Sequence, residues 1–305
     1  MNSITLNDET DNLIGNPSKW NEYKAVSDHT DNTNSLPAES FNENLTDNQL
    51  KVQWNNINWH KVEEHVNHLQ IRITKAVIQG KTNLVNRLSY LLTHSHYAKL
   101  LAVRNIIQNK GKRTAGIDGV LWSTPEAKMK AALNLTDKRY KAKPLKRVYI
   151  EKTGKKEKRP LGIPTMHDRA MQALYKLALD PYAEITADSR SFGFRKYRSA
   201  QQACTVLFQS LSKKYAAQWI LEGDIKGCFD NISHTWLLEN IPMDKSILKQ
   251  FLKAGYISQH NLFPTESGTP QGGIISPILA NITLDNIEKL LEEKYHQRNG
   301  KRKKL

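Results

Sequence analysis

The sequence predicts an α+β protein, mostly helical, with one basic β-hairpin and a small antiparallel sheet. Three observations predict it. Apolar residues recur at helical spacing from Trp59 onwards. Residues 145–163 alternate polar and apolar around a Thr153-Gly154 turn. The order is helices, hairpin, helices, strand, helices, turn, helix, which is not the regular strand–helix alternation of a parallel sheet.

Charge narrows the partners. Residues 1–50 hold nine acids and two bases, net −7. The remainder therefore carries +22, the chain's +15 plus the 7 offset in this leader. A body so basic repels itself unless it meets a polyanion, and nucleic acid is the leading candidate. The 305 residues leave room for two domain-sized units. No run approaches the roughly 18 apolar residues of a membrane span, so no membrane partner is expected. Cys204 and Cys228 lie far apart without C-x-x-C spacing. That argues against a disulfide framework or a zinc site, reads both as core thiols, and fits a reducing cytosol.

Residues 1–50, rich in Asn, Ser, Asp and Thr without periodicity, read as a disordered acidic leader resembling neither a signal nor a transit peptide. Trp59, Val62, Val66, Leu69, Ile73 and Val77 then mark one face of a helix, with Asn58 at its start and Gly80 at its end. Leu84, Leu88, Leu91, Ala98 and Ile106 mark a second helical stretch that stops near Gly111. KGKRTAGIDG, residues 110–119, is a loop of bases and small residues: either a phosphate-binding segment or a solvated connector. The hairpin at 145–163 carries Lys146, Arg147, Lys152, Lys155, Lys156, Lys158 and Arg159, with Lys143 just before it. This exceeds what protecting a sheet edge requires and favours phosphate contact.

Thr165 to Asp168 spells a capping box for a helix to about Leu179, and Ser199 to Gln202 another, with Ala203, Leu207 and Leu211 facing inward. WILEGDIKGCFDNIS, residues 219–233, reads as a buried strand ending in Asp224. A buried carboxylate needs compensation, and a hard divalent cation supplies it; a helix cap or turn is the plainer alternative. Asp230 either accepts bonds from the turn or caps the next helix. Helices follow near 234–241 and 244–254. The turn TPQGG, 269–273, lets backbone approach a flat ligand closely or simply precedes a helix. Ser276 and Pro277 open a long helix to about 295.

Taken in order, the basic hairpin with RPLGIP, SFGFRKYRS (191–199), GDIKGCFDNI (223–232) and GTPQGGIISPILANI (268–282) resemble the reverse transcriptases encoded by group II introns, the intron maturases. The resemblance spans about residues 54–300. It implies the fingers and partial palm of a right-handed polymerase, divided as a leader (1–50), a helical N-terminal extension with a template-binding loop (51–120), fingers (121–215) and partial palm (216–305). It implies that Asp224 is catalytic and holds Mg²⁺ with the carbonyl of Ile225. Phe229 falls on the family's steric gate against the ribose 2′-OH, and Gln271 lies beside the incoming nucleotide. Lys152 and Arg159 meet its triphosphate. Lys110, Lys112 and Arg113 on the loop, and Arg147, Lys155, Lys156 and Lys158 on the hairpin, contact RNA. Expected partners are group II intron RNA, an RNA template with a DNA primer, and dNTPs, in a bacterial cytoplasm or an organelle.

One departure qualifies the match. The family's second acid pair sits in a Tyr-Ala-Asp-Asp hairpin after the long helix, and no such sequence stands in this chain. The expectation is therefore a fragment, a truncated copy, or half of a split enzyme completed by a separate C-terminal palm/thumb polypeptide. A non-catalytic RNA-binding maturase that assists splicing is the alternative reading.

Overall fold

In the computed structural model, residues 45–151, 154, 158–216, 218–270 and 272–295 are described. The leader to residue 44, Lys152, Lys155, Lys156, Gln271 and the basic tail, for which the sequence carries expectations, lie outside the described residues.

Thr46 and Gln49 close a capping box at the start of helix α1 (Asp47–Asn55). Asn58 Oδ1 accepts from the Lys61 amide at 3.1 Å and starts α2 (Trp59–Ile78). This helix buries Val62, Val66, Leu69 and Ile73, the face read from spacing. The second expected stretch breaks at Ser95, whose ψ of 132° is extended, into α3 (Thr82–His94) and α4 (His96–Gln108). On α3 Leu88 and Leu92 are buried while Leu84 and Leu91 are exposed, so the expected stripe is displaced by one residue at Leu91. A 3₁₀ turn spans Lys110–Arg113. Thr124 then caps α5 (Pro125–Leu133).

Strands β1 (Leu145–Glu151) and β2 (Lys158–Ile163) pair antiparallel, Lys146 opposite Ile163 and Glu151 opposite Lys158. Two short strands, β3 (Tyr256–Ser258) and β4 (Asn261–Phe263), join as an antiparallel pair, and β3 runs parallel to β1. The order β2-β1-β3-β4 makes the sheet mixed, where the sequence suggested antiparallel pairing throughout. Three-residue strands are too short to show a period, which is why β3 and β4 do not stand out in the sequence.

Helix α6 (Met166–Thr186) runs beyond Leu179 and through Pro181 to Thr186. It packs against α2, α3, α4 and α11 (Ser276–Leu284) and is buried on most sides. Helix α7 (Ala200–Leu211) has the expected Ser199–Gln202 capping box but no buried residue; Leu207 and Leu211 are exposed where an inward face was expected, and so is Phe208. Cys204 is exposed and Cys228 half-buried, so neither is a core thiol. Residues 219–225 form no strand, and Trp219 and Leu221 are 91% and 96% exposed. A strand requires a neighbour to take its backbone hydrogen bonds, and among the described residues none pairs with this segment. Helices α8 (Cys228–Asn231), α9 (His234–Asn240) and α10 (Lys245–Leu252) follow. The long helix expected to 295 divides at Asp285-Asn286, with Asn286 at φ 77°, into α11 and α12 (Ile287–Tyr295). Among the described residues no helix is long and apolar enough to cross a membrane.

The Asp285 joint has a pH signature. Asp188 accepts from the amides of Asn286 (3.0 Å) and Glu288 (3.2 Å), fixing the start of α12. Burial, then the neighbouring Asp188, push the Asp285 carboxyl up to about 6. A raised carboxyl favours the folded state while protonated, below its ordinary value near 4, and that contribution is lost as pH rises through 6. Asp285→Asn is therefore expected to raise the denaturation midpoint at pH 7 and to leave it unchanged at pH 4. A second test concerns Gly116, where an added Cβ would lie 2.6 Å from Thr165 Cα. Gly116→Ala is expected to cost about 1–3 kcal/mol, read from urea denaturation.

Candidate functional site

Three consecutive-facing polar side chains occupy the first turns of α6, and each is buried: Asp168, Arg169 and Gln172 are 3%, 6% and 3% exposed. Buried polar groups persist when their hydrogen bonds are filled. Asp168 accepts from Thr165 Oγ1 (2.6 Å), Tyr140 Oη (2.7 Å) and the Lys143 amide (3.3 Å). Burial, followed by the Asp168 charge, pushes the Tyr140 phenol far above its ordinary value, so it stays a donor. Arg169 donates to the carbonyls of Pro164, Gly111 and Thr114 at 3.0, 3.0 and 2.6 Å. Gln172 Oε1 accepts from the amides of Ile274 (2.7 Å) and Ile275 (3.4 Å). One helix end thus gathers the 110–116 loop, the approach to the hairpin and the turn before α11.

That turn is held from its other side by residues 229–234. The amides of Gly268 and Thr269 donate to the carbonyls of Ile232 (2.8 Å) and Phe229 (2.6 Å). Ser267 Oγ donates to the Asp230 carbonyl, and buried His234 Nε2 donates to the Gly268 carbonyl at 2.7 Å. The turn then meets the hairpin. Gly272 adopts φ 107°, a conformation that favours glycine, and a Cβ there would lie 2.7 Å from the Gly162 carbonyl. Phe194 packs edge-on against Phe229, centroids 6.2 Å apart, and Asn281 Nδ2 donates to the Gly193 carbonyl at 2.8 Å. The four stretches singled out in the sequence, around residues 162, 194, 229 and 270, are therefore brought together.

Residues 150–302 match the family described as reverse transcriptase (RNA-dependent DNA polymerase), and residues 54–135 match the N-terminal domain of reverse transcriptase. The chain belongs to the reverse transcriptase family. It is 38% identical over 231 residues to the group II intron-encoded protein LtrA of Lactococcus lactis subsp. cremoris, an alignment covering 72% of this chain and 37% of that protein. It is 33% identical over 243 residues to protein YkfC of Escherichia coli, covering 75% and 63%. A putative COX1/OXI3 intron 1 protein of Saccharomyces cerevisiae is 33% identical over 174 residues, covering 54% and 20%. The chain spans less than two thirds of the length of each of these relatives.

Within this reverse transcriptase chain the expected site residues fall in different settings. Phe229 is half-buried at the convergence. Arg159 and Lys158 are exposed on β2, opposite Ile150 and Glu151. Lys110, Lys112 and Arg113 are exposed on the 3₁₀ turn. Arg147, grouped in the sequence with the RNA-facing bases, is instead half-buried, with its guanidinium 3.8 Å from the Tyr256 ring centroid. The register explains this: Leu145 pairs with Tyr256, and Arg147, two residues on, shares its face. Arg147, Asp230, Tyr256 and Thr269 line a cavity of about 140 Å³ between the hairpin base and the turn.

Asp224 and Ile225 are exposed. In this conformation water solvates the Asp224 carboxylate, and burial does not oblige it to hold a cation. Among the described residues no group of three His, Cys, Asp or Glu gathers to hold a metal. Asp224 with the Ile225 carbonyl offers one carboxylate and one carbonyl, oxygen donors of the kind that a hard divalent cation takes.

Arg169 and Gln172 escaped the sequence reading. The available signal was polar residues at positions 168, 169 and 172 of a helix otherwise apolar on several faces. Gln172→Leu removes the acceptor for two turn amides and is expected to lower stability by about 1–3 kcal/mol in guanidinium denaturation.

Proposed function

We propose that the chain supplies the fingers and part of the palm of a group II intron reverse transcriptase. In this reading it binds intron RNA and an RNA template paired with a DNA primer, and adds deoxynucleotides by phosphoryl transfer. The observation that supports it most is the convergence of the hairpin, the Phe194 segment and the 268–273 turn on Phe229. The family match over residues 150–302 gives that convergence its chemical meaning. The proposed divisions are those expected from the sequence, with the extension at 51–120, fingers at 121–215 and palm from 216.

The roles follow from placement and resemblance. Phe229, wedged against Phe194, presents a fixed aromatic wall to the sugar of an incoming nucleotide. Arg159, in solvent on β2, is free to meet phosphate oxygens, where a guanidinium binds in a two-pronged fashion. Lys152 and Gln271 keep their nucleotide roles, and Lys155 and Lys156 their RNA roles, on the resemblance alone. Lys158 joins the RNA surface, while Arg147 braces the hairpin base through Tyr256. Reverse transcriptases use divalent metals; Mg²⁺, when bound, supplies positive charge to the phosphate being transferred. Asp224 and the Ile225 carbonyl would hold it, with the remaining carboxylates contributed by a palm/thumb segment, contiguous or on a separate polypeptide. The exposed apolar surface of Trp219, Ile220 and Leu221 supports such a partner segment. The setting is a bacterial cytoplasm or an organelle, as for relatives from bacteria and from yeast introns.

The single carboxylate at Asp224 favours a second reading, a maturase that binds intron RNA without catalysis. Primer extension separates the two. With a polypeptide bearing the rest of the palm and thumb, Asp224→Asn is expected to cut extension at least about 100-fold. Splicing assistance that survives Asp224→Asn, with no extension by the wild type, establishes the second reading. Arg159→Ala is expected to raise the dNTP KM by about tenfold while leaving RNA affinity within about twofold. Phe229→Ala is expected to admit ribonucleotides, measured as the ratio of rNTP to dNTP incorporation.

A further inference from the structure

Arg169 stands apart from the other buried polar groups of α6 because it is the cation among them and, among the described residues, forms no ion pair. Its hydrogen-bond acceptors are three carbonyl oxygens and the Met166 sulfur. Burial lowers its hold on its proton, the mark of a guanidinium deprived of water. Such a cation is retained where its donors fix something of use. Of the three carbonyls, Gly111 lies within the 3₁₀ turn Lys110–Arg113 and Thr114 directly follows it. The turn also closes on itself, with the Lys112 amide donating to Asn109 and the Thr114 amide to Gly111. Gly116 seals the loop against the backbone of Thr165, closer than any side chain would allow.

The outcome is a loop with two carbonyls turned inward to Arg169 and its three cations outward. Lys110, Lys112 and Arg113 are exposed, and among the described residues none forms an ion pair. In a 3₁₀ turn, side chains three apart lie on the same side, so Lys110 and Arg113 project together. Three uncompensated charges in four residues, on a backbone pinned at both ends, suit a polyanion backbone and gain affinity from being pre-ordered.

We propose that Arg169 is the positioning residue of an RNA-phosphate grip made by Lys110, Lys112 and Arg113. The proposal rests on the reading of this loop as RNA-binding and adds what holds it in shape. Arg169 touches no RNA itself; it acts through the loop.

The test is a double-mutant cycle on the whole chain, binding a fluorescent RNA template annealed to a DNA primer across a KCl series. The triple variant Lys110→Ala, Lys112→Ala, Arg113→Ala should weaken binding and reduce the slope of log affinity against log salt by about 2, near 0.7–0.9 per lost phosphate contact. Arg169→Lys, which keeps the charge but has no planar fork, should weaken binding about tenfold in the wild-type background and less than about twofold in the triple variant. An unchanged slope in the triple variant removes the RNA role of the loop. A reduced slope with Arg169→Lys binding like wild type, or losing equally in both backgrounds, removes the positioning role alone. Hydrogen exchange of the wild type covers the case in which Arg169→Lys does not fold. The Lys112 and Thr114 amides should be protected without RNA, and free exchange there overturns the pre-ordered loop.

Discussion

The arrangement around Phe229 depends on one constraint: the buried head of α6 has polar groups that must be satisfied. Asp168, Arg169 and Gln172 are removed from water, and an unfilled buried donor or acceptor costs about 1–3 kcal/mol, more when charged. No two of them are satisfied by the same distant segment. Asp168 takes residues 140–143, Arg169 takes 111–114 and Gln172 takes 274–275. Segments remote in sequence are thereby assigned to one place by the need to fill hydrogen bonds. Apolar contact alone would fix their distance without fixing their orientation.

Around that head, the rest of the architecture is support. Ile73, Leu92 and Ile106, all essentially inaccessible, belong to the helices of the N-terminal half that pack around α6 and its buried Leu174, and they make it hard to move. The mixed sheet gives the hairpin a second attachment, since β1 is tied to β3 by backbone bonds and to Tyr256 by Arg147. On the far side, Arg195 binds Glu184 through two nitrogens and the carbonyls of Asp188 and Ser191 through a third. That network orders the loop which brings Phe194 to Phe229. The Phe194–Phe229 contact is thus built from a loop and the short helix α8 but braced from three directions.

What could be read from the sequence divides along a physical line. The α2 face and the starts of α6 and α7 were legible because spacing and caps are local. The hairpin was legible because its two strands are neighbours in sequence. The motif stretches were legible as a set, and they do meet. The break at Ser95 and the displacement at Leu91 were not, since a backbone turn within an apolar run leaves no compositional mark. The 219–225 segment misled for a related reason: strand pattern reports propensity, while a strand exists only with a partner. Arg147 looked like its neighbours in the sequence, and only its register beside Tyr256 sets it apart. Arg169 was illegible because its bonds are to carbonyls, which every residue carries.

The bare Trp219-Ile220-Leu221 run, together with Leu207 and Phe208 on the uncovered α7, has a consequence for handling in the cell and in the test tube. Large apolar side chains left in water are what folding assistants bind and what drives self-association. Expressed by itself, the chain is expected to partition into chaperone complexes or soluble aggregates at rising concentration.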